Sequence, residues 1–144
     1  MDSCIFCKIV KGEIPCERIY EDKDTFAFLD INPVNLGHTL IVPKKHYPSL
    51  VEITERDLGK IMKAIKTITP GILRSCGAEA FNLFQNNGSH AGQDVFHVHF
   101  HIIPRHEGDG QNIKLKTRKI SPEDMKNAAE RIKKELSETK INAC

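Results

Sequence analysis

The 144 residues suffice for one domain with a real core, and with Trp absent the apolar volume comes from Ile, Leu and Val. A formal charge of +2 gives no reason to expect a nucleic acid or a membrane surface as the main partner. No apolar run approaches the roughly 18 residues of a spanning helix, and "MDSCIFCKIV" lacks the charged-then-apolar order of a signal peptide, which predicts a soluble, cytoplasmic protein.

In chain order the first feature is Cys4-x-x-Cys7. This spacing lets two thiolates reach one metal, and two further soft or borderline ligands would complete a tetrahedral zinc site. An odd total of five cysteines argues against a disulfide framework and for thiols or metal ligands. A redox role would want the motif between a strand and a helix of a βαβ unit, which this position does not offer. His46, after "IVPKK", and His97 are candidates for the remaining ligands, although spacing does not select them among seven histidines. Cys16, Cys76 and Cys144 have no partner spacing and read as ordinary thiols.

Short β-type runs follow at "RIYED" (18–22), "TFAFLD" (25–30), "HTLIVP" (38–43) and "AFNLFQN" (80–86), separated by turn chemistry at "KD", "NPVNLG" and "NNGSHAGQ". Between the third and fourth, a helical pattern starts at Thr54 as N-cap, with Asp57 near a capping-box position and Leu58, Ile61, Met62, Ile65 and Ile68 on one face. Pro70 and Gly71 are expected to end or kink it. A basic stretch, "NIKLKTRKI" (112–120), reads as a solvated connection to a second helix, with Ser121 as N-cap and Pro122 at its first position. Strands on both sides of one long helix predict an α+β fold with a mainly antiparallel sheet.

The run "HVHFHIIPR" (97–105) is the most informative. Successive strand side chains point to opposite faces, so His97, His99 and His101 share one face, in a row spaced roughly 6 to 7 Å apart. Phe96, Val98, Phe100, Ile102 and Ile103 read as the core side. The loop "QNNGSHAGQDVF" leads into this run. Gly88 and Gly92 there permit backbone conformations that turn N–H groups toward an anion, while Asn86, Ser89, Gln93 and Asp94 add polar groups. A largely uncharged imidazole can attack phosphorus and form a covalent intermediate, and a second imidazole can move a proton or hold a phosphoryl oxygen.

"HVHFHII" fits the histidine-x-histidine-x-histidine-x-x pattern, with apolar x, of the histidine triad (HIT) family. "GHTLIVPKKH" and "NNGSHAGQDVFHVH" resemble its Hint-like, nucleotide-binding branch. The resemblance covers roughly residues 3–105, and we take residues 1–110 as the HIT domain and 111–144 as a connection plus C-terminal helix, within that domain or extending it. It implies a five-stranded sheet with one long central helix, and a homodimer whose two sheets join. It implies His99 as the nucleophile toward the α-phosphate, His101 contacting phosphate and helping the leaving group depart, and His38 supporting the nucleophile. Asp30 would bind the ribose hydroxyls with Ile31 beside it, while Asn86, Gly92, Gln93 and Asp94 would hold phosphate and leaving group. Ile5, Phe6, Phe28 and Leu40 would wall a purine pocket, and Cys4, Cys7, His46 and His97 would hold a structural Zn2+. No organic cofactor is implied. Asp94 departs from the pattern, since relatives carry Ser there and a carboxylate repels phosphate. The transferase branch carries Gln at the third triad position, so His101 favours hydrolysis.

The activity this implies is hydrolysis of purine nucleoside 5′-phosphoramidates to the nucleoside monophosphate through a nucleotidyl-histidine intermediate. Alternatives are hydrolysis of dinucleoside polyphosphates by the same intermediate, a nucleotide-binding module with little turnover, and a catalytic metal held jointly by His97 and His99.

Overall fold

The computed structural model describes residues 3–112 and 115–141, with side chains as far as residue 139. Cys144 and two residues of the basic connection, Ile113 and Lys114, lie outside the described residues. The chain forms two compact units, one through Gln111 and one from Asn112 on. In the first, α1 (Ile5–Val10) precedes β1 (Arg18–Glu21), β2 (Thr25–Leu29) and β3 (Thr39–Pro43), and α2 (Glu55–Cys76) leads to β4 (Ala80–Phe84) and β5 (Phe100–Arg105). The second holds α3 (Pro122–Ile141), whose N-terminus is capped by Ser121 Oγ accepting from Asp124 N–H at 3.0 Å. No helix among the described residues is long and apolar enough to cross a membrane.

The strands form one sheet of order β1-β2-β3-β5-β4, every neighbouring pair antiparallel. The β1–β2 connection closes on Asp22, whose Oδ1 accepts from the N–H groups of Asp24 and Thr25 at 2.8 and 2.7 Å. Strand alternation splits the apolar residues into two layers. Ala27, Ile41, Phe100 and Ile102 face α2 and meet Ile61, Ala64, Ile65 and Ile72. Phe26, Phe28, Leu40 and Val42 face the other way and are covered by Phe6 and Ile9 of α1. A six-residue helix is marginal alone, so this burial is what holds α1 in place. The sequence reading has no helix here, because "IFCKIV" is too short and too rich in isoleucine and valine to signal one.

Two expectations change. Helix α2 does not end at Pro70 but runs through it to Cys76. Proline forfeits one backbone bond, but the turns around it bury Thr69 and Ile72, and the Thr69 hydroxyl donates to the Ile65 carbonyl at 2.7 Å. The true stop is Gly77 at φ 64°, with Ala78 N–H bonded to the Leu73 carbonyl at 3.0 Å in a Schellman arrangement. Met62, expected on the inner face, is 41 % exposed, and Ala64 packs in the core instead. Asp57 serves Tyr47 and Lys60, accepting at 2.6 and 2.9 Å, while the Thr54 hydroxyl caps the helix by accepting from Asp57 N–H at 3.2 Å.

A Cβ at Gly71 meets nothing within 4 Å, whereas Gly77 needs a left-handed backbone. Gly71→Ala should therefore raise stability by about 0.5–1 kcal/mol and Gly77→Ala should lower it by about 1 kcal/mol or more. Urea unfolding midpoints check this, and a destabilised Gly71→Ala would contradict a helix continuous through Pro70.

Candidate active site

The sheet face that carries α1 also carries the histidines. On β5, Phe100 and Ile102 turn toward α2, so His101, paired across from Leu40, turns toward α1. Hydrogen-bonded strand begins only at Phe100, later than the sequence suggests. Residues 97–99 keep the alternation because Val98 is fully buried and its N–H reaches the Tyr47 carbonyl at 2.7 Å. Phe96, expected in the core, is 53 % exposed because the chain bends before the alternation starts. Far from forming a wet face, His97, His99 and His38 are buried.

Backbone partners decide the tautomers. A carbonyl only accepts, so His99, whose Nδ1 lies 2.6 Å from the His97 carbonyl, carries its proton on Nδ1 and leaves Nε2 as a bare lone pair. His97 Nε2 lies 2.9 Å from the Pro43 carbonyl and must donate there, which leaves its Nδ1 bare. An amide only donates, so His38 Nδ1 accepts from Val34 N–H at 3.1 Å and its proton sits on Nε2. That Nε2–H donates to His101 Nδ1 at 3.0 Å, so the proton of neutral His101 sits on Nε2. The four imidazoles thus occupy defined tautomers without needing a charged form.

Electrostatics agree with neutral rings at His101 and His38. Burial first, then His99 and His38, with Asp30 opposing, together push His101 down to about 4. Burial also lowers His38, offset in part by Asp30, whose Oδ2 lies 3.6 Å from His38 Nε2. Phe6 meets the His99 ring edge-on, with centroids 5.1 Å apart, and the His99 and His101 centroids are 5.0 Å apart.

The metal candidates converge. Cys4, Cys7, His46 and His97 place one ligand atom each within 4.8 Å of one another. Zinc bonds of about 2.3 Å to sulfur and 2.0–2.1 Å to nitrogen at tetrahedral angles put sulfur and nitrogen about 3.5 Å apart and two nitrogens about 3.3 Å apart. The observed separations are 3.5 Å for Cys4 Sγ to His97 Nδ1, 3.4 Å for Cys7 Sγ to His46 Nδ1, 3.6 Å for Cys7 Sγ to His97 Nδ1 and 3.3 Å between the two Nδ1 atoms. Donor chemistry and spacing therefore fit zinc, and the Pro43 carbonyl supplies the outer partner that a ligating histidine needs. His99 is outside this cluster, so a metal held jointly by His97 and His99 has no counterpart in the geometry. The other such cluster among the described residues is Asp30, His38 and His101.

Beside these rings lies a cavity of about 380 Å³. Ile5, Phe6, Phe28 and Leu40 line it, with Asp30 and Ile31 at one part and Asn86, Gly92 and Asp94 at another, and His99 and His101 reach it too. His38 does not line it and stands behind His101. Gln93 does not line the cavity, and its side chain is 2 % exposed and committed to the loop. Its Nε2 donates to the Pro48 and Val95 carbonyls at 2.7 and 3.0 Å, and its Oε1 accepts from Gly88 N–H at 2.8 Å. Asn86 likewise braces the loop, donating to the Gly92 carbonyl at 3.2 Å. Gly88 and Gly92 have φ of 82° and 83°, as a glycine-dependent loop requires. Ile9, Asn32 and Val95 also line the cavity and were missed; Ile9 follows from Ile5 and Phe6 by helical spacing once α1 is known.

Residues 11–108 match the profile of the family described as HIT domain. An uncharacterised HIT-like protein of Methanocaldococcus jannaschii is 54 % identical over 112 residues, covering 78 % of this chain and 86 % of that protein. The adenosine 5′-monophosphoramidase hnt1 of Schizosaccharomyces pombe is 43 % identical over 135 residues, covering 93 % and 98 % of the two chains. Among solved structures, a Zn-bound histidine triad family protein from Mycobacterium smegmatis superposes with a TM-score of 0.74 at 35 % identity, covering 81 % of this chain and 85 % of that one. With a profile that spans most of the chain and a triad of histidines on one face of an antiparallel sheet, the chain belongs to the HIT family.

Proposed function

We propose that the protein hydrolyses purine nucleoside 5′-phosphoramidates to the nucleoside monophosphate, with His99 as nucleophile. The observation that carries this reading is the 2.6 Å bond from His99 Nδ1–H to the His97 carbonyl, which holds the ring with Nε2 bare beside the cavity. The similarity to a relative named adenosine 5′-monophosphoramidase supports the substrate class. In this reading the base lies among Ile5, Phe6, Phe28 and Leu40, and Asp30 takes the ribose hydroxyls with Ile31 alongside.

His99 Nε2 attacks the α-phosphorus, the P–N bond breaks and the departing nitrogen takes a proton from solvent. His101 Nε2–H, oriented by His38, donates to a phosphoryl oxygen as charge builds there. Water then attacks phosphorus, the bond to His99 breaks, and the nucleoside monophosphate leaves with the water oxygen. Asn86 and the Gly92 to Asp94 segment border the phosphate and the leaving group. Cys4, Cys7, His46 and His97 would hold a structural zinc, which would cross-link α1 to the chain before β5. Strand β4 lies at the sheet edge with Phe81 and Leu83 42 % and 39 % exposed, which supports a homodimer joined through that edge.

Three outcomes test this. His99→Ala should lose AMP release from adenosine 5′-phosphoramidate by about 10³-fold or more while the far-ultraviolet spectrum stays that of the intact protein; retained turnover would remove His99 as nucleophile. The protein as purified should carry one zinc per chain by elemental analysis, Cys7→Ser should carry less, and chelation should lower the melting temperature by several degrees. The third concerns pH. The folded-state pKa of His101, about 4, lies below its ordinary 6.5, so the unfolded chain takes up the proton first. Stability should be flat above pH 6.5 and fall on acidification from there to about 4. Asp57, held at about 2, keeps its contribution until the pH drops below 3.8, outside that window. In His101→Gln the slope of urea midpoint against pH should be shallower by on the order of 1 kcal/mol across the window, after allowance for solvent screening; an equal slope would contradict a neutral His101.

A further inference from the structure

The cavity beside His99 and His101 does not stand alone. A second cavity of about 400 Å³ adjoins it, lined by Ser3, Cys4, Ile5, His46, Asp94, Val95 and Phe96. Ile5, Asp94 and Val95 belong to both, so Asp94 stands at the junction. Neither lining contains a lysine or an arginine, and the cavity of the histidines already holds one other carboxylate, Asp30. Asp30 is occupied, with Oδ1 accepting from Asn32 N–H at 2.9 Å and Oδ2 near His38. The Asp94 carboxylate is exposed and makes no hydrogen bond or ion pair among the described residues.

A polyanion entering here meets two carboxylates and no lysine or arginine, whereas a leaving group with a cation meets an unpaired carboxylate. Resting on the phosphoramidate reading above, we infer that Asp94 selects the leaving group. The preferred substrates are phosphoramidates of amines that carry a second, cationic group on an alkyl chain. The chain lies along Ile5, Val95 and Phe96, and its ammonium or guanidinium pairs with Asp94. The bond broken is still P–N, and the cation stays on the departing amine. Dinucleoside polyphosphates, whose leaving group is itself a polyanion, are disfavoured by the same charge.

The test compares adenosine 5′-phosphoramidates of 1,4-diaminobutane and of butylamine, equal in length and differing in the terminal ammonium. In the intact protein kcat/KM for the diamine compound should exceed that for the butylamine compound by about three- to fivefold, the size of an exposed ion pair. The ratio should shrink with added salt and fall to about one in Asp94→Asn. Because it is taken within each protein, a general change in activity or folding of the variant cancels. A ratio near one in the intact protein, or one unchanged in Asp94→Asn, overturns the inference even where both compounds turn over. The same pair titrated into His99→Ala reads the preference as a ratio of dissociation constants. Tighter binding of the diamine compound without turnover in the intact protein would keep the role of Asp94 and reject the hydrolase reading.

Discussion

The site depends on one residue used twice. The carbonyl of His97 accepts the Nδ1 proton of His99 at 2.6 Å, while the ring of His97 sits in the cysteine and histidine cluster with Nε2 held by Pro43. The tautomer of His99 and the geometry of the metal candidates therefore hang on the same backbone segment. Moving His97 to suit one would disturb the other, and burial of its ring beside fully buried Val98 removes the freedom to do so. A buried polar ring is tolerated here only because each nitrogen has a partner.

Around this segment the fold supplies two different supports. On one sheet face α2 buries a large apolar layer, which makes the platform under Phe100 and Ile102 rigid. On the other, α1 covers only part of the sheet, and the uncovered remainder is the cavity. The short helix therefore has three duties: it packs on β2 and β3, its Phe6 touches the His99 ring, and its Cys4 and Cys7 bring thiols to His46 and His97. A helix of six residues performs them because tertiary contacts, not intrinsic propensity, hold it.

The chemistry follows from polar groups placed where water is scarce. His38 cannot reach the cavity, but by accepting from Val34 N–H and donating to His101 it sets which nitrogen of His101 bears a proton. That chain of backbone to imidazole to imidazole turns an ambiguous ring into a donor of fixed direction. The loop between β4 and β5 is fixed in the same manner by the side chain of Gln93, whose three bonds hold the loop's shape.

What could be read from the sequence alone was whatever depends on neighbours along the chain. The period-two alternation of residues 97–105, the Thr54 and Ser121 caps, the glycine loop and the four β-type runs are local patterns, and each has its counterpart in the structure, with the ends of those four runs shifted by up to two residues and β5 starting only at Phe100. Helix α1 and the continuation of α2 past Pro70 were not legible, because in both cases burial against distant strands outweighs a weak or contrary local signal. Spacing likewise left open which histidines join Cys4 and Cys7, a matter of contacts 39 to 93 residues apart in sequence. The same holds for the tautomers: the sequence names the imidazoles, but only the folded chain determines which carbonyl or amide stands opposite each nitrogen, and a ring's role follows from that partner.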